Sequence, residues 1–304
     1  MPRYRYFTTD VFTNVPFGGN QLAVFPDARG IPEHRLQDVT REFNYSETTF
    51  VYPPTDPQHT RQVRIFTPGA EVPFAGHPTV GTAHVLASIG EIALTGDTTH
   101  IVFEEGVGAV PVVIRSANGV PTFAQLSVTK LPEIGPPPPE RTILAALLGL
   151  ETDDLLDGRW SAQALSSGLP FVLVPVRHRG AVARAHIIID AWKDALAGSW
   201  ASEVFVFALD AERPGSDVHA RMFAPALNVP EDPATGSACA ALGGYLAARN
   251  PLRDGLLHWR VEQGFEMGRP SILEVEVDVA DGTVTGVRVG GSSVLVCEGT
   301  MAIS

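Results

Sequence analysis

Two turns that contain glycine and proline carry the side chains with the clearest capacity for chemistry. The first turn, residues 73–78 (PFAGHP), contains His77, and the second, residues 230–236 (PEDPATG), contains Asp232. Imidazole and carboxylate groups accept and donate protons in many enzymes. Each residue also has an ordinary explanation, because His77 suits a buried core position and Asp232 suits a helix cap.

The segments after these turns, residues 79–89 and 237–248, are apolar or small almost all round. A helix without a polar face is buried, and the free N–H groups of its first turn need partners. The partial positive charge at a helix start favours an anion, and Gly76 and Gly236 let a ligand approach the backbone. The two matched helix starts predict a site for a carboxylate, to which Ser237 would add a hydroxyl.

Glu47 is the predicted acid/base. It lies between Ser46 and two threonines at the start of a predicted strand. A carboxylate that enters an apolar strand is costly unless it is exposed or paired. In a closed cleft, burial would raise its pKa towards the range of a useful general acid/base. The alternative is a solvated glutamate at the end of a strand.

Further polar residues complete the predicted site. The predicted catalytic residues are Glu47, His77 and Asp232, and the predicted substrate-binding residues are Ser46, Gly76, Gly236, Ser237, Asn20 and Gln263. Asn20 follows Gly18 and Gly19, whose turn is a candidate part of the cleft lining. Arg269 lies in a glycine-broken stretch after Gln263 and is either a substrate clamp or a loop charge, with the structural role favoured.

Several classes of protein are disfavoured by composition and motifs. The net charge of −12 argues against nucleic acid and anionic membrane surfaces as partners, although a small anionic substrate can still meet a local positive field. The chain has no CxxC, HExxH or GxSxG motif and no dinucleotide-type glycine pattern, so we expect no metal and no cofactor. Cys239 and Cys297 are too few for a disulfide framework, and both are expected in the core. The polar amino terminus predicts a cytoplasmic protein without a signal peptide or membrane span.

The remaining chain reads mainly as short strands. Alternating or apolar runs between turn residues predict strands over residues 4–12, 48–52, 62–66, 109–115, 122–128, 171–176, 203–209, 257–263, 273–279 and 284–289. Besides the two buried helices, surface helices are predicted over residues 32–43, 140–148 and 190–197. The proline run 136–139 marks a boundary, since neither a helix nor a sheet interior accepts it.

The pattern indicates two repeated halves. Residues 45–51 precede the first buried helix and residues 166–172 precede the second, and both are a polar turn that leads into an apolar strand. We therefore predict an α+β fold with two similar domains, each a curved, mostly antiparallel sheet wrapped around a central buried helix. The predicted domains are residues 1–130 with 286–304, which carry Glu47 and His77, and residues 131–285, which carry Asp232 and Ser237.

Three motifs together resemble the phenazine-biosynthesis PhzF family. They are residues 45–50 (YSETTF), 76–79 (GHPT) and 231–238 (EDPATGSA), and similar phrases extend over nearly the whole chain. The resemblance implies the diaminopimelate-epimerase-like fold, an active site in the cleft between the domains, and a homodimer. It implies cofactor-free isomerisation of trans-2,3-dihydro-3-hydroxyanthranilate, in which Glu47 moves the proton while His77, Asp232 and Ser237 hold the substrate.

Two other functions remain open at this point. Related epimerases and racemases use one thiol at each helix start, whereas Ala75 and Ala234 stand at these turns. A thiol racemase is therefore disfavoured, and a proton shift by one carboxylate on a small anionic carboxylate is the leading hypothesis. An amino-acid or hydroxy-acid epimerase is the second hypothesis, and a non-catalytic carboxylate-binding protein is the third.

Overall fold

The computed structural model describes residues 1–304 and divides into two compact units. Unit 1 comprises Met1–Thr129 and Gly290–Ser304, and unit 2 comprises Lys130–Val289. The second break thus falls at residues 289/290, against the 285/286 expected from the sequence. None of its helices has the length and apolar character needed to span a bilayer.

Strands dominate both units. In chain order they are β1 Arg3–Val11, β2 Asn20–Phe25, β3 Glu47–Tyr52, β4 Arg61–Phe66, β5 Glu71–Val72, β6 Thr98–Glu105, β7 Gly108–Ala117, β8 Val120–Ser127, β9 Glu133–Ile134, β10 Gln163–Ser166, β11 Pro170–Pro175, β12 Glu203–Ala208, β13 Val218–Ala224, β14 Val229–Asp232, β15 Gly255–Gln263, β16 Ser271–Ala280, β17 Thr283–Gly291 and β18 Ser293–Ala302. The α-helices are α1 Glu33–Phe43, α2 Gly76–Ser88, α3 Arg141–Leu147, α4 Arg179–Arg184, α5 Ile189–Leu196 and α6 Gly236–Ala247.

Unit 1 is a mostly antiparallel sheet around α2. Strand β1 pairs with both β18 and β2, and β3–β4, β6–β7 and β7–β8 are also antiparallel. Only β2–β3 and β4–β6 are parallel. Helix α2 is buried from Gly76 to Ala87 and packs on β1, β2, β3, β7 and β8. Helix α1 covers the other side through Leu36, which joins Phe25 and Phe50 in a separate apolar cluster.

Unit 2 repeats this arrangement around α6. Strand β10 pairs with β11 antiparallel, β11–β12 and β13–β15 are parallel, and β12–β13 and β15–β16 are antiparallel. All residues of α6 except Ser237 are buried. Helices α3, α4 and α5 cover the opposite side of the sheet, where they enclose a cluster that includes Val204 and Val206. The predicted fold class is confirmed by this architecture.

The registers define which residues of the two units correspond. Glu47 lies opposite Leu22 in the parallel pair β2–β3, and Glu203 lies opposite Phe171 in the parallel pair β11–β12. The antiparallel pairs β3–β4 and β12–β13 also correspond, since Thr48 is the register partner of Phe66 and Val204 is the register partner of Phe223. Glu203 is therefore the counterpart of Glu47. The predicted match of residues 45–51 with 166–172 was wrong by one strand, because residues 170–175 correspond to β2.

Several other expectations need correction. Strands β2, β5, β6, β9, β10, β13, β14 and β18 and the short helix α4 were not predicted, and α2 and α6 begin at Gly76 and Gly236 rather than at residues 79 and 237. Cys239 is buried as expected, but Cys297 is exposed on β18. Consecutive residues of that strand from Leu295 to Glu298 are exposed, so neither of its sides faces the core at Cys297.

Close packing at α6 gives a first prediction. A Cβ atom added to Gly244 would lie 2.4 Å from Cβ and 2.7 Å from Cγ of Pro132. Because the proline ring cannot rotate away, we expect Gly244→Ala to destabilise the protein by about 1–2 kcal/mol, although alanine favours a helix over glycine by about 1 kcal/mol. Urea unfolding would measure this. Gly243→Ala is the control, because a Cβ there would lie at the longer distances of 2.9 and 3.0 Å from methyl carbons of Val275 and Val277, and an equal loss in both variants would contradict the prediction.

Candidate active site

In unit 1 the side chains of Glu47, His77 and Asn20 lie together at the start of α2. Nε2 of His77 lies 3.3 Å from Oε2 of Glu47, and Nδ1 lies 3.2 Å from the amide nitrogen of Asn20. His77 and Asn20 are buried, whereas 16% of the Glu47 side chain is exposed. The Glu47 side chain is thus the most accessible of the three, although its Oε2 atom, which faces His77, is buried.

The environment of His77 fixes its charge. Burial lowers its pKa to about 3, and a backbone contact with Gln21 offsets only part of that effect. The imidazole is therefore neutral at physiological pH. If the amide nitrogen of Asn20 donates to Nδ1, the ring proton is on Nε2 and faces Glu47. This approach is not aligned as a hydrogen bond, so the Nε2–H group remains available to a third group.

The position of Glu47 follows from strand pairing. It is the first residue of β3, after Ser46, and lies beside Leu22 of β2, two residues after Asn20. Thr49, on the same side of the strand, is 2.9 Å from the hydroxyl of Thr82 in α2. This contact between two buried hydroxyls ties β3 to the helix, so Glu47 and His77 are held by a common framework.

In unit 2 Asp232 belongs to a network of hydrogen bonds at the start of α6. The Thr235 hydroxyl donates to Oδ2 of Asp232 at 2.6 Å, and Nε2 of Gln263 donates to the Asp232 carbonyl at 2.7 Å and lies 3.0 Å from Oγ1 of Thr235. The Thr235 N–H donates to Oε1 of Gln263. Thr235 is the N-cap residue of α6. The aspartate is thus an acceptor held by the cap rather than the cap itself.

Gly236 and Ser237 form the first turn of α6, and Ser237 is its most accessible residue. Gly264 is next to the network and has a φ of 76°. A Cβ at Gly264 would lie 2.6 Å from the carbonyl oxygens of Pro233 and Arg269. Glycine is therefore required where the chain after Gln263 passes the Asp232 turn.

An ion pair fixes the strand that carries Asp232. Arg221 binds both carboxylate oxygens of Glu231 at 2.7 and 2.8 Å and donates to three carbonyls at the end of α4. In unit 1 the corresponding Arg64 binds Glu71 in the same bidentate way. The two units thus use the same pair to attach the short strand that leads into the buried helix.

A second arrangement that both units share ties a loop to the sheet. Glu104 accepts from the backbone N–H groups of Thr55 and Asp56 and lies 2.9 Å from Nδ1 of His59. These bonds hold the pKa of Glu104 down at about 2. The sequence interpretation did not single out Glu104, because it lies in β6, a strand that was not predicted.

The counterpart in unit 2 is Glu262, which is fully buried. It accepts from the backbone N–H groups of Glu212 and Arg213 and lies 3.0 Å from Nδ1 of His219, while Glu266 lies 2.9 Å from Nε2 of that ring. Burial alone would lower the pKa of His219, but the two carboxylates outweigh it and raise the pKa to about 9. His219 is therefore cationic at neutral pH.

Two more buried carboxyl groups were missed. Glu105 in β6 and Glu203 at the start of β12 each have one oxygen without a hydrogen-bond partner. Burial raises the pKa of Glu105 to about 8 and that of Glu203 to about 7, and a single hydroxyl contact opposes the shift in each case. The repeat of Ser-Glu at residues 46–47 and 202–203 was the available signal for Glu203.

The structure therefore brings the predicted residues together in two groups. Asn20, Ser46, Glu47, Gly76 and His77 gather in unit 1, and Asp232, Gly236, Ser237 and Gln263 gather in unit 2. Gly19 has a φ of 62°, and a Cβ there would lie 2.3 Å from the Val11 carbonyl oxygen. Arg269 donates its backbone N–H to Gly264. No group of three or more His, Cys, Asp or Glu side chains is arranged to hold a metal ion.

Comparison with known sequences gives the family. The profile of the family PhzC-PhzF, described as phenazine biosynthesis-like protein, matches residues 9–299. An uncharacterized isomerase of Mesorhizobium japonicum is 37% identical over 100% of both chains. The trans-2,3-dihydro-3-hydroxyanthranilate isomerase of Pseudomonas aeruginosa is 32% identical over 97% of this chain and 98% of its own.

Solved structures agree with the fold. The PhzF-family phenazine biosynthesis protein of Bacillus anthracis has 27% identity and a TM-score of 0.89 over 100% of both chains. A hydroxyproline epimerase of Agrobacterium vitis shares the fold alone, with 13% identity and a TM-score of 0.64 over 99% of this chain and 91% of its own.

The architecture is the diaminopimelate-epimerase-like fold, as the sequence predicted. Among proteins with that fold the chain belongs to the PhzC-PhzF family and is an isomerase.

Proposed function

We propose that this enzyme shifts a proton, with double-bond migration, on a small cyclic carboxylate of the trans-2,3-dihydro-3-hydroxyanthranilate type. The observation that carries the proposal is the partly exposed Glu47 side chain, whose Oε2 lies 3.3 Å from Nε2 of a neutral His77 at the start of a buried helix. A carboxylate beside a neutral donor is suited to take a proton from carbon and return it elsewhere.

The proposed reaction balances without another reactant. The Glu47 carboxylate takes a proton from one ring carbon, the electron pair of that C–H bond becomes part of the shifted π system, and Glu47 returns the proton to a second carbon. The neutral Nε2–H group of His77 donates to a substrate oxygen or nitrogen and localises charge during the transfer. One carboxyl group alternates between base and acid, so the enzyme ends in its starting protonation state.

The cluster of unit 2 suits the polar groups of the same substrate. Asp232, held by Thr235, is an acceptor for an amine or hydroxyl. The N–H groups at the start of α6 and the Ser237 hydroxyl suit a carboxylate, because they combine donors with the positive end of the helix. We propose that this cluster orients the C–H bond towards Glu47.

The wider assignment includes a homodimer that works without metal or organic cofactor in the cytoplasm. Both cysteines are free thiols, and Cys297 is exposed. An exposed free thiol suits a reducing compartment. The proposed partners are a small anionic substrate and a second copy of the chain, and no nucleic acid or membrane.

An epimerase is the second candidate, and one observation favours it. Glu203 corresponds to Glu47 in register and has a pKa of about 7, so a second proton-carrying carboxyl is present. A thiol mechanism is not supported, because Ala75 and Thr235 are the N-cap residues and burial raises the pKa of the Cys239 thiol.

Turnover in deuterated water separates the candidates. An isomerase converts trans-2,3-dihydro-3-hydroxyanthranilate to a product with a moved double bond, with the transferred position partly deuterated. An epimerase exchanges the α-hydrogen of an amino or hydroxy acid with inversion and no bond migration. NMR and chiral chromatography would distinguish these results, and no exchange with any substrate of either class would support a binding protein without activity.

Ser237 provides a prediction for binding. We expect Ser237→Ala to raise the substrate Kd by about 5–10-fold with a smaller change in kcat, since one hydrogen bond contributes about 1–1.4 kcal/mol net. Isothermal titration with substrate or product would measure it. Ser199→Ala, an exposed serine of the same unit, is the control. A large fall in kcat at unchanged Kd would contradict the binding role.

A further inference from the structure

A chain of contacts links Glu105 to the first turn of α2. Oγ1 of Thr79 lies 2.8 Å from Oε1 of Glu105 and 2.8 Å from the carbonyl oxygen of Ala75. Ala75 is the N-cap residue of α2, and His77 lies between it and Thr79. Glu105 itself is 92% buried, with 8% of its surface exposed.

The number of hydrogens on these groups decides which protonation state of Glu105 allows both contacts of Thr79 to be hydrogen bonds. The Thr79 hydroxyl has one hydrogen, and the Ala75 carbonyl can only accept. If Glu105 were ionised, it too could only accept, so one hydrogen would serve two acceptors. If Glu105 carries a proton, it donates to Thr79, and Thr79 donates to Ala75. Only the protonated acid makes both 2.8 Å contacts full hydrogen bonds.

The second carboxyl oxygen of Glu105 also favours the protonated state. Oε2 is buried without a hydrogen-bond partner. A buried, unpaired carboxylate oxygen costs far more than the carbonyl oxygen of a neutral acid. Burial accordingly raises the pKa of Glu105 to about 8, opposed only by the Thr79 contact.

The charged neighbours of Glu105 are engaged elsewhere. The polar groups that line the cavity beside it are Gln62, Arg64, Glu71 and Glu104. Arg64 is bound to Glu33 and Glu71, and Glu104 is bound to backbone N–H groups and His59. His77 on α2 is neutral. No cation is therefore placed to stabilise an ionised Glu105.

The position in unit 2 that corresponds to Glu105 carries a neutral side chain. Glu104 corresponds to Glu262 by strand register and by its backbone partners, so Glu105 corresponds to Gln263. Oε1 of Gln263 accepts from the N–H of Thr235, the N-cap residue of α6, and Nε2 of Gln263 donates to the Thr235 hydroxyl oxygen. A glutamine side chain is the permanently neutral analogue of a protonated glutamic acid. Both units thus place a neutral side chain with a donor at the start of the buried helix.

We propose that Glu105 is a positioning residue that stays protonated and, through Thr79 and Ala75, holds the first turn of α2 and so orients His77. Deprotonation at alkaline pH removes the hydrogen bond that Glu105 donates to Thr79, and the first turn of α2 is then held less firmly. The importance of His77 for catalysis rests on the proposed function, but the state of Glu105 and its effect on the His77 ring can be tested without any substrate.

Infrared spectroscopy tests the proton directly. Near pH 7, the wild-type minus Glu105→Gln difference spectrum is expected to contain the carbonyl band of a protonated carboxylic acid. Glu104→Gln is the matched control, because Glu104, the neighbour of Glu105 on the same strand, is ionised, and its replacement should remove a carboxylate band instead. A carboxylate band in the Glu105 difference spectrum would overturn the proposal.

The pH dependence of unfolding gives a second readout. Because the pKa of Glu105 is raised on folding, the wild type should lose stability relative to Glu105→Gln as pH rises from about 4.5 to about 8. The ratio of their unfolding constants should change about tenfold per pH unit in that window and level off above it. Other titrating groups are common to both proteins and cancel. Parallel profiles would contradict the proposal.

The positioning role requires an effect on His77. The ring-nitrogen NMR signals of His77 should match the wild type in Glu105→Gln and shift in Glu105→Leu, which removes the donor. In the wild type the same signals should shift as the pH passes about 8, and in Glu105→Gln they should not. His77 signals that are insensitive to all of these changes would overturn the positioning role even if Glu105 proves to be protonated.

Discussion

Replacing Glu47 with glutamine is expected to lower kcat by about 10²–10⁴-fold, the usual contribution of a positioned general acid/base. Glutamine keeps the size of the side chain but can neither take the proton from carbon nor return it. Substrate binding should change little, because the contribution of Glu47 arises mainly in the transition state. Steady-state kinetics and titration calorimetry on trans-2,3-dihydro-3-hydroxyanthranilate would measure both quantities.

The control for this variant is Glu42→Gln, an equivalent change at an exposed position of α1. It should behave like the wild type. Solvent deuterium should also fail to enter the product with Glu47→Gln. Near-normal turnover of Glu47→Gln would show that another group carries the proton, and Glu203→Gln would then be the next variant to measure.

Replacing Glu262 with glutamine is expected to destabilise the protein by about 3–5 kcal/mol near neutral pH. The carboxylate is fully buried and binds two backbone N–H groups and the cationic His219. Glutamine removes the charge and places an N–H₂ group among donors, so His219 loses one of its counter-ions. Chemical denaturation would measure the change in the free energy of unfolding.

The pH dependence distinguishes this loss from a packing defect. The pKa of His219 is raised to about 9 on folding, so the stability it contributes is complete below about 6.5 and is lost as pH rises through 9. The penalty of Glu262→Gln should shrink over the same range. Glu266→Gln, whose partner contact is nearer the surface, should cost only about 1 kcal/mol. A pH-independent penalty would contradict this account of the charge.

Much of the fold follows from local sequence pattern. The absence of a polar face in residues 79–89 and 237–248 predicted two buried helices, and α2 and α6 are these helices. Residues 20–25 were missed as a strand because they follow a turn without a clear alternation. The mismatch of residues 45–51 with 166–172 has the same origin, since only the pairing partners distinguish β2 from β3.

The candidate site was predictable only in part. Gly-Pro turns that carry His77 and Asp232 can be recognised in the sequence, because helix starts have local signals. The role of Glu105 cannot, since it depends on a contact with Thr79, 26 residues away, and on the absence of any cation nearby. Glu262 was hidden for a similar reason, because its backbone donors lie 49 and 50 residues away.

The two units share their ion pairs but differ at the starts of their buried helices. The ion pair Arg64–Glu71 of unit 1 has its counterpart in Arg221–Glu231 of unit 2. The carboxylates of Glu104 and Glu262, each bound by backbone N–H groups, correspond in the same way. At the corresponding helix starts, by contrast, His77 stands where unit 2 has Ser237. Because the same polar contacts hold the scaffold in each unit, the two helix starts can differ without loss of those contacts. In the proposed function the start of α2 would move a proton and the start of α6 would bind an anion.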